Sequence, residues 1–158
     1  MFLAAIIPAV SAIVMSFTRF AGADLSIMPC SMTDKPNFTI TDFTGGISQY
    51  TGGESFTFYL QSNFDDYHSG CSGDINKGAD DSGMQWCSTR IPGWNVSYIM
   101  THDHNVLFGH AFLCSQEDGT VVNARAEAAA TLKINVSDSG KLSMDGKNAT
   151  FPASMKTL

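Results

Sequence analysis

The stretch SFTFYLQS, Ser55–Ser62, alternates apolar and polar side chains without a break. Phe56, Phe58 and Leu60 fall on one side of an extended backbone, and Ser55, Thr57, Tyr59 and Gln61 fall on the other. A period of two is the spacing of a β-strand with one face in a core. The same period recurs in NFTITDF (Asn37–Phe43), with Phe38 and Ile40 opposite Thr39 and Thr41. It recurs again in GWNVSYIMT (Gly93–Thr101), where Trp94, Val96, Tyr98 and Met100 share a face and Asn95 and Ser97 lie opposite. NVLFGHAFLC (Asn105–Cys114) is apolar on both faces, the pattern of a strand covered on both sides. Gly, Asn, Asp and Ser clusters separate these runs, and TGGISQYTGGE, with two Gly-Gly pairs, predicts a loop. The pattern predicts an all-β protein: one compact antiparallel β-barrel or sandwich, bridged by disulfides.

One segment is ambiguous. In VVNARAEAAATLKINV (Val121–Val136) the run ARAEAAATLK has the composition of a helix. Its pattern is that of a strand, with Ala124, Ala126, Ala128, Ala130, Leu132 and Ile134 on one face. The strand reading is preferred because tertiary context overrides propensity. An inward row of alanines lets another layer approach closely.

The chain has 158 residues. Residues 1–23 have the form of a secretory signal peptide, an apolar run followed by small residues around Ala21 and Ala23, which leaves residues 24–158 as a single secreted domain. The formal net charge is −6 and there is no basic run. Such a chain has no electrostatic grip on nucleic-acid phosphate, and no later apolar stretch is long enough to span a membrane as a helix. Behind a signal peptide, Cys30, Cys71, Cys87 and Cys114 predict two disulfides. Zinc is disfavoured because no two of them have the two-to-four-residue spacing of zinc ligand pairs. Cys71 and Cys87 enclose a polar, Gly- and Asp-rich segment. Closing a loop of about 15 residues is worth about 3 kcal/mol in the chain-entropy model. Four sequons, at Asn37, Asn95, Asn135 and Asn148, are candidate N-glycosylation sites.

Three histidines, His102, His104 and His110, lie close together in MTHDHNVLFGHAFLC. Two considerations weigh against a three-imidazole metal site. HDHN sits where one strand must reverse into the next, and Asp and Asn are turn formers. His110 shares a face with Phe108 and Phe112, which predicts a partly buried ring among aromatics. Removal of His102 and His104 is then expected to cost little. No Gly-x-Ser-x-Gly elbow or phosphate-binding Gly loop is present. The pairs Asp65–Asp66 and Asp80–Asp81 are expected to be solvated loop acids. No catalytic residue, metal or cofactor is predicted.

In order of motifs, the chain resembles the Alternaria major-allergen family, small secreted fungal β-barrel proteins that include allergens and plant-defence elicitors. The FTITDF strand, the Gly-rich loop, SFTFYL, the Cys71…QWC unit, the WNVSYIMTHDHNVLFGHAFLC hairpin and the ARAEAAATL strand carry the resemblance, over residues 30 to about 136. The resemblance implies a barrel without catalytic machinery that binds a host extracellular protein or a small phenolic ligand. It pairs Cys71 with Cys87. The family's next cysteine, beyond the position of Cys114, is missing here, so Cys30 and Cys114 are left to pair with each other. In some members the cysteine matched by Cys30 links a homodimer, which this departure puts in doubt. The expected function is that of an effector, elicitor or allergen-like interaction protein. The alternative is a secreted hydrolase or carbohydrate-binding module using Asp65, Asp66, Tyr67 or Trp86.

Overall fold

The structure is a computed structural model that describes residues 27–30, 35–64, 68–88 and 95–158. The expected signal peptide, together with Asp65, Asp66, Tyr67 and Trp94, lies outside the described residues. Among the described residues there is no helix. The strands are β1 (Met28–Pro29), β2 (Asn37–Ile47), β3 (Glu54–Ser62), β4 (His68–Ile75), β5 (Gln85–Trp86) and β6 (Asn95–Met100). They continue as β7 (Asn105–Ser115), β8 (Val121–Thr131), β9 (Ile134–Val136), β10 (Lys141–Met144), β11 (Asn148–Pro152) and β12 (Ser154–Thr157).

The strands form two sheets. One runs β12-β8-β7-β6-β5, with β1 added beside the end of β7. The other runs β4-β3-β2-β10-β9, and β11 shares the β10 edge of β2. All pairings are antiparallel except the short one between β1 and β7. The sheets face each other across one core, which the alternation had picked out. Phe38, Ile40, Phe56, Phe58 and Leu60 point in from one sheet, and Val96, Tyr98, Met100, Phe108, Ala124 and Ala126 from the other. Burying each large apolar side chain is worth about 1.5–3 kcal/mol. The alanine row lies on strand β8, and its small side chains leave room for β11, which approaches from the other sheet. There Phe151 stacks on Phe108 with ring centres 5.5 Å apart.

The sheets do not pair into a closed barrel among the described residues, but they are tied at both sides. On one side the chain leaves β11 and enters β12 through Ala153, whose N–H donates to the Pro36 carbonyl at 2.8 Å. On the other, the Cys71–Cys87 disulfide joins β4 to the end of β5, with Cα atoms 4.2 Å apart. The second disulfide, Cys30–Cys114, pins the N-terminal segment to β7, and no cysteine is left free.

Four sequence expectations need correction. β2 does not end before TGGI; it continues through Gly45 and Gly46 to Ile47. A Cβ on Gly45 would lie 2.4 Å from the Ser55 carbonyl oxygen, so glycine there permits the close pairing instead of breaking it. The Gly- and Asp-rich segment around Cys71 is not all loop, because β4 pairs along the whole length of β3 with Ser69, Cys71 and Ile75 inward. Its polar composition hid the alternation. β7 is covered on one face only, since Leu107 is 58% exposed. The strand from Val121 does not run to Val136; it breaks at Leu132–Lys133, and Ile134–Val136 forms β9 in the opposite sheet.

Candidate functional site

Residues 85–88 cross from one sheet to the other. Gln85 and Trp86 pair with Tyr98 and Ser97 on β6, and the Cys87 N–H donates to the Val96 carbonyl at 3.0 Å. The next residue already belongs to the opposite sheet: the Ser88 N–H and hydroxyl both donate to the Gly70 carbonyl, at 2.9 and 3.0 Å. With Cys87 buried in its disulfide, alternation throws Trp86 outward, and it is 60% exposed.

An open groove of about 590 Å³ lies beside this crossing, with the disulfide in its wall. Its floor is the outer face of β3 and β4 at Thr57, Tyr59, Gly70 and Ser72. Tyr59 is 46% exposed. Its ring stacks on His68, with centres 5.3 Å apart and planes 16° from parallel. Asp42 also lines the groove. It occupies the bulge between Thr41 and Thr44, where the β2–β3 register shifts, and its φ of 52° is one that Asp tolerates better than most residues. A bulge re-aims a side chain out of the regular pleat. The groove therefore combines two exposed aromatic faces, one carboxylate and several hydroxyls.

A second groove, about 470 Å³, lies on the outer face of the other sheet, over Leu107 and Gly109. Its charges already satisfy one another. Arg125 Nε is 2.7 Å from Glu127 Oε1, and Lys156 Nζ is 3.9 Å from Glu127 Oε2. The groove beside Trp86 holds a carboxylate with no such partner among its described lining residues, so it is the better candidate for a ligand.

The histidines separate. His102 and His104 lie in the β6–β7 turn, as expected of HDHN, but they are more than turn residues. Both reach Glu54 at the start of β3, with His102 Nδ1 3.3 Å from Oε1 and His104 Nε2 3.5 Å from Oε2. His110 is fully buried, where partial burial was expected, with its ring centre 5.1 Å from that of Phe112 and 6.0 Å from that of Phe64. No three His, Cys, Asp or Glu side chains among the described residues are arranged to hold a metal ion. Asp80 and Asp81 serve the neighbouring turn: the Asp80 carbonyl accepts from the His102 N–H at 3.4 Å, and Asp81 Oδ1 accepts from the Gly83 N–H at 2.7 Å. Tyr98 is buried under Gly73. Burial first, and the Asp74 charge second, push its phenol well above the usual range.

Of the sequons, Asn135 and Asn148 are exposed and Asn37 is half-buried; Asn95 lies at the start of β6. The sequence singled out Trp86 but not its neighbours. Tyr59 was placed on the outer face of its strand, yet nothing in the sequence brought that face to Trp86. The bulge at Asp42 leaves no composition signal either. Comparison with protein-family models, with curated proteins and with solved structures returned no match.

Proposed function

We propose that the protein is a secreted fungal interaction protein, an effector, elicitor or allergen-like molecule, that binds without catalysis and uses the Trp86 groove to take hold of a host protein or small ligand. The observation that carries this reading is the pair of exposed aromatic faces beside a disulfide. Large rings exposed on a rigid scaffold supply contact area at low entropic cost, as in binding surfaces generally. Binding is preferred to hydrolysis because, among the described residues that line the groove, Asp42 is the one carboxylate. A glycosidase needs two, about 5 to 9.5 Å apart. Two disulfides suit an oxidising, extracellular setting. On this reading the ties at Ala153 and Cys71–Cys87 close the sheets into the barrel of the allergen-like family, and exposed Asn135 and Asn148 carry glycans.

The test is a pull-down from host extracellular fluid with the mature protein and with Trp86→Ala, run beside an activity screen on cell-wall polymers. Capture of a defined component that is lost in the variant supports the proposal. Turnover of a polymer by the wild type sinks it. Mass spectrometry of deglycosylated secreted protein is expected to give the mass of Asp24–Leu158, and a mass retaining the leader overturns the export part of the reading.

A further inference from the structure

Resting on the reading of the Trp86 groove as a binding site, we infer that its ligand is a neutral carbohydrate chain. Three features of the groove select that chemistry. The first is the pair of ring faces. A π face carries negative charge density, and a pyranose presents on one side a sheet of weakly positive C–H bonds that packs against such a face. Trp86 and Tyr59 are both open to solvent in the same groove, and Tyr59 has one ring face on His68, leaving the other for a ligand.

The second feature is the hydrogen-bonding set. Asp42 is an acceptor with two oxygens, and Thr57 and Ser72 offer hydroxyls that donate or accept. A polyol edge, in which every group is both donor and acceptor, matches this mixture. A flat aromatic ligand would fill the ring faces and leave most of the polar rim unused. The His68 ring, stacked behind Tyr59, holds that platform in place.

The third feature is charge. Among the described residues that line the groove there is no Lys or Arg and the one charged group is the Asp42 carboxylate, in a chain with a formal charge of −6. Uronate, sulfate and phosphate ligands would meet the Asp42 carboxylate there. A cation over the exposed Trp86 ring would gain little, because cation–π attraction is weak at exposed sites.

The inference is tested by isothermal titration of the intact disulfide-bonded protein with four probes: neutral chito-, cello- or xylo-oligosaccharides, a cationic deacetylated chito-oligosaccharide, an anionic oligogalacturonate and a planar flavonoid. The expected result is binding of at least one neutral oligosaccharide that 0.5 M NaCl does not weaken, with salt screening charge contacts only. Affinity should fall at least tenfold in Trp86→Ala and severalfold in Asp42→Asn and Tyr59→Ser. Circular dichroism and melting of each variant should match wild type, which separates loss of a contact from loss of the fold. Flavonoid binding without oligosaccharide binding overturns the carbohydrate class and leaves the groove a ligand site. Salt-sensitive binding of the cationic oligosaccharide alone, or binding of the oligogalacturonate alone, overturns it as well. If no probe binds and the host pull-down is indifferent to Trp86→Ala, the reading of the groove as a binding site falls with it.

Discussion

Two of the joins between the sheets are opposite in character. At the Trp86 crossing the join is covalent, through Cys71–Cys87, and the side chains around it face solvent. At the HDHN turn the join is made by polar contacts, with His102 and His104 from one sheet meeting Glu54 of the other. The polar join turns its functional groups on itself: Glu54 Oε1 lies 3.3 Å from His102 Nδ1, Oε2 lies 3.5 Å from His104 Nε2 without a hydrogen bond, and the Glu54 side chain is 13% exposed. The covalent join is held by the disulfide and by Ser88, whose hydroxyl donates to the Gly70 carbonyl at 3.0 Å, and it draws on none of the exposed aromatic or acidic side chains nearby. Trp86, Tyr59 and Asp42 are therefore left over, and left-over aromatic and acidic groups on a fixed frame can serve a ligand. The difference shows why the groove, and not the histidine-rich turn that stands out in the sequence, is the candidate site.

The largest effects come from the disulfides, and the two bonds should separate stability from binding. Cys30 and Cys114 are 84 positions apart. Replacing both with Ser is expected to cost about 4–5 kcal/mol in urea unfolding, by the entropy of closing so long a loop. Cys71 and Cys87 are 16 apart, and the corresponding double variant should cost about 3 kcal/mol. Ligand binding should follow the opposite order. The less costly variant loses the groove wall and with it the ligand, whereas the more costly one, while folded, still binds. Equal binding losses in the two variants would break the comparison.

Much of this arrangement was legible from alternation. SFTFYLQS, NFTITDF and NVSYIM showed which faces are buried because apolar residues at period two have only one place to go. The alanine strand was legible for the same reason, against its helix-like composition. β4 was not, because its alternation is written in Ser, Cys and Gly, and the last 20 or so residues, with Leu142 and Phe151 in the core, carry runs too short to stand out. The candidate site was the least legible part. Trp86, Tyr59 and Asp42 come from three separate segments, and their meeting depends on a bulge and on the sheet crossing at residues 85–88. Neither has a residue pattern of its own. The Glu54–histidine contact was missed on the same ground, since Glu54 is at the far edge of a strand with nothing local to mark it.

A middle-sized effect is expected at the polar join. Turn substitutions at His102 and His104 looked nearly free from sequence, but their contact with partly buried Glu54 raises the expected cost to about 1 kcal/mol, the usual net worth of such an interaction. Glu54→Ala should cost a similar amount. The triple variant should cost no more than either alone, within about 0.5 kcal/mol, because all three changes remove one contact set. Strict additivity would show that the three residues act separately and that this join is not one unit. Chelator should leave the melting temperature unchanged; a fall would point to an ion held between His102, His104 and Glu54.

The smallest effect on stability should come from the residue that matters most for binding. Trp86 is 60% exposed and sits on a two-residue strand whose pairing to β6 uses backbone groups alone. Its backbone neighbours are fixed by the Cys87 N–H to Val96 bond and by the disulfide, neither of which touches the indole. Trp86→Ala should therefore change unfolding free energy by no more than about 0.5 kcal/mol, as for exposed positions generally, while removing the groove's main apolar face. Chemical denaturation measured beside ligand titration decides the matter. A loss of 2 kcal/mol or more would mean that the indole packs as part of the sheet crossing, and the covalent join would then be no freer to serve a ligand than the polar one.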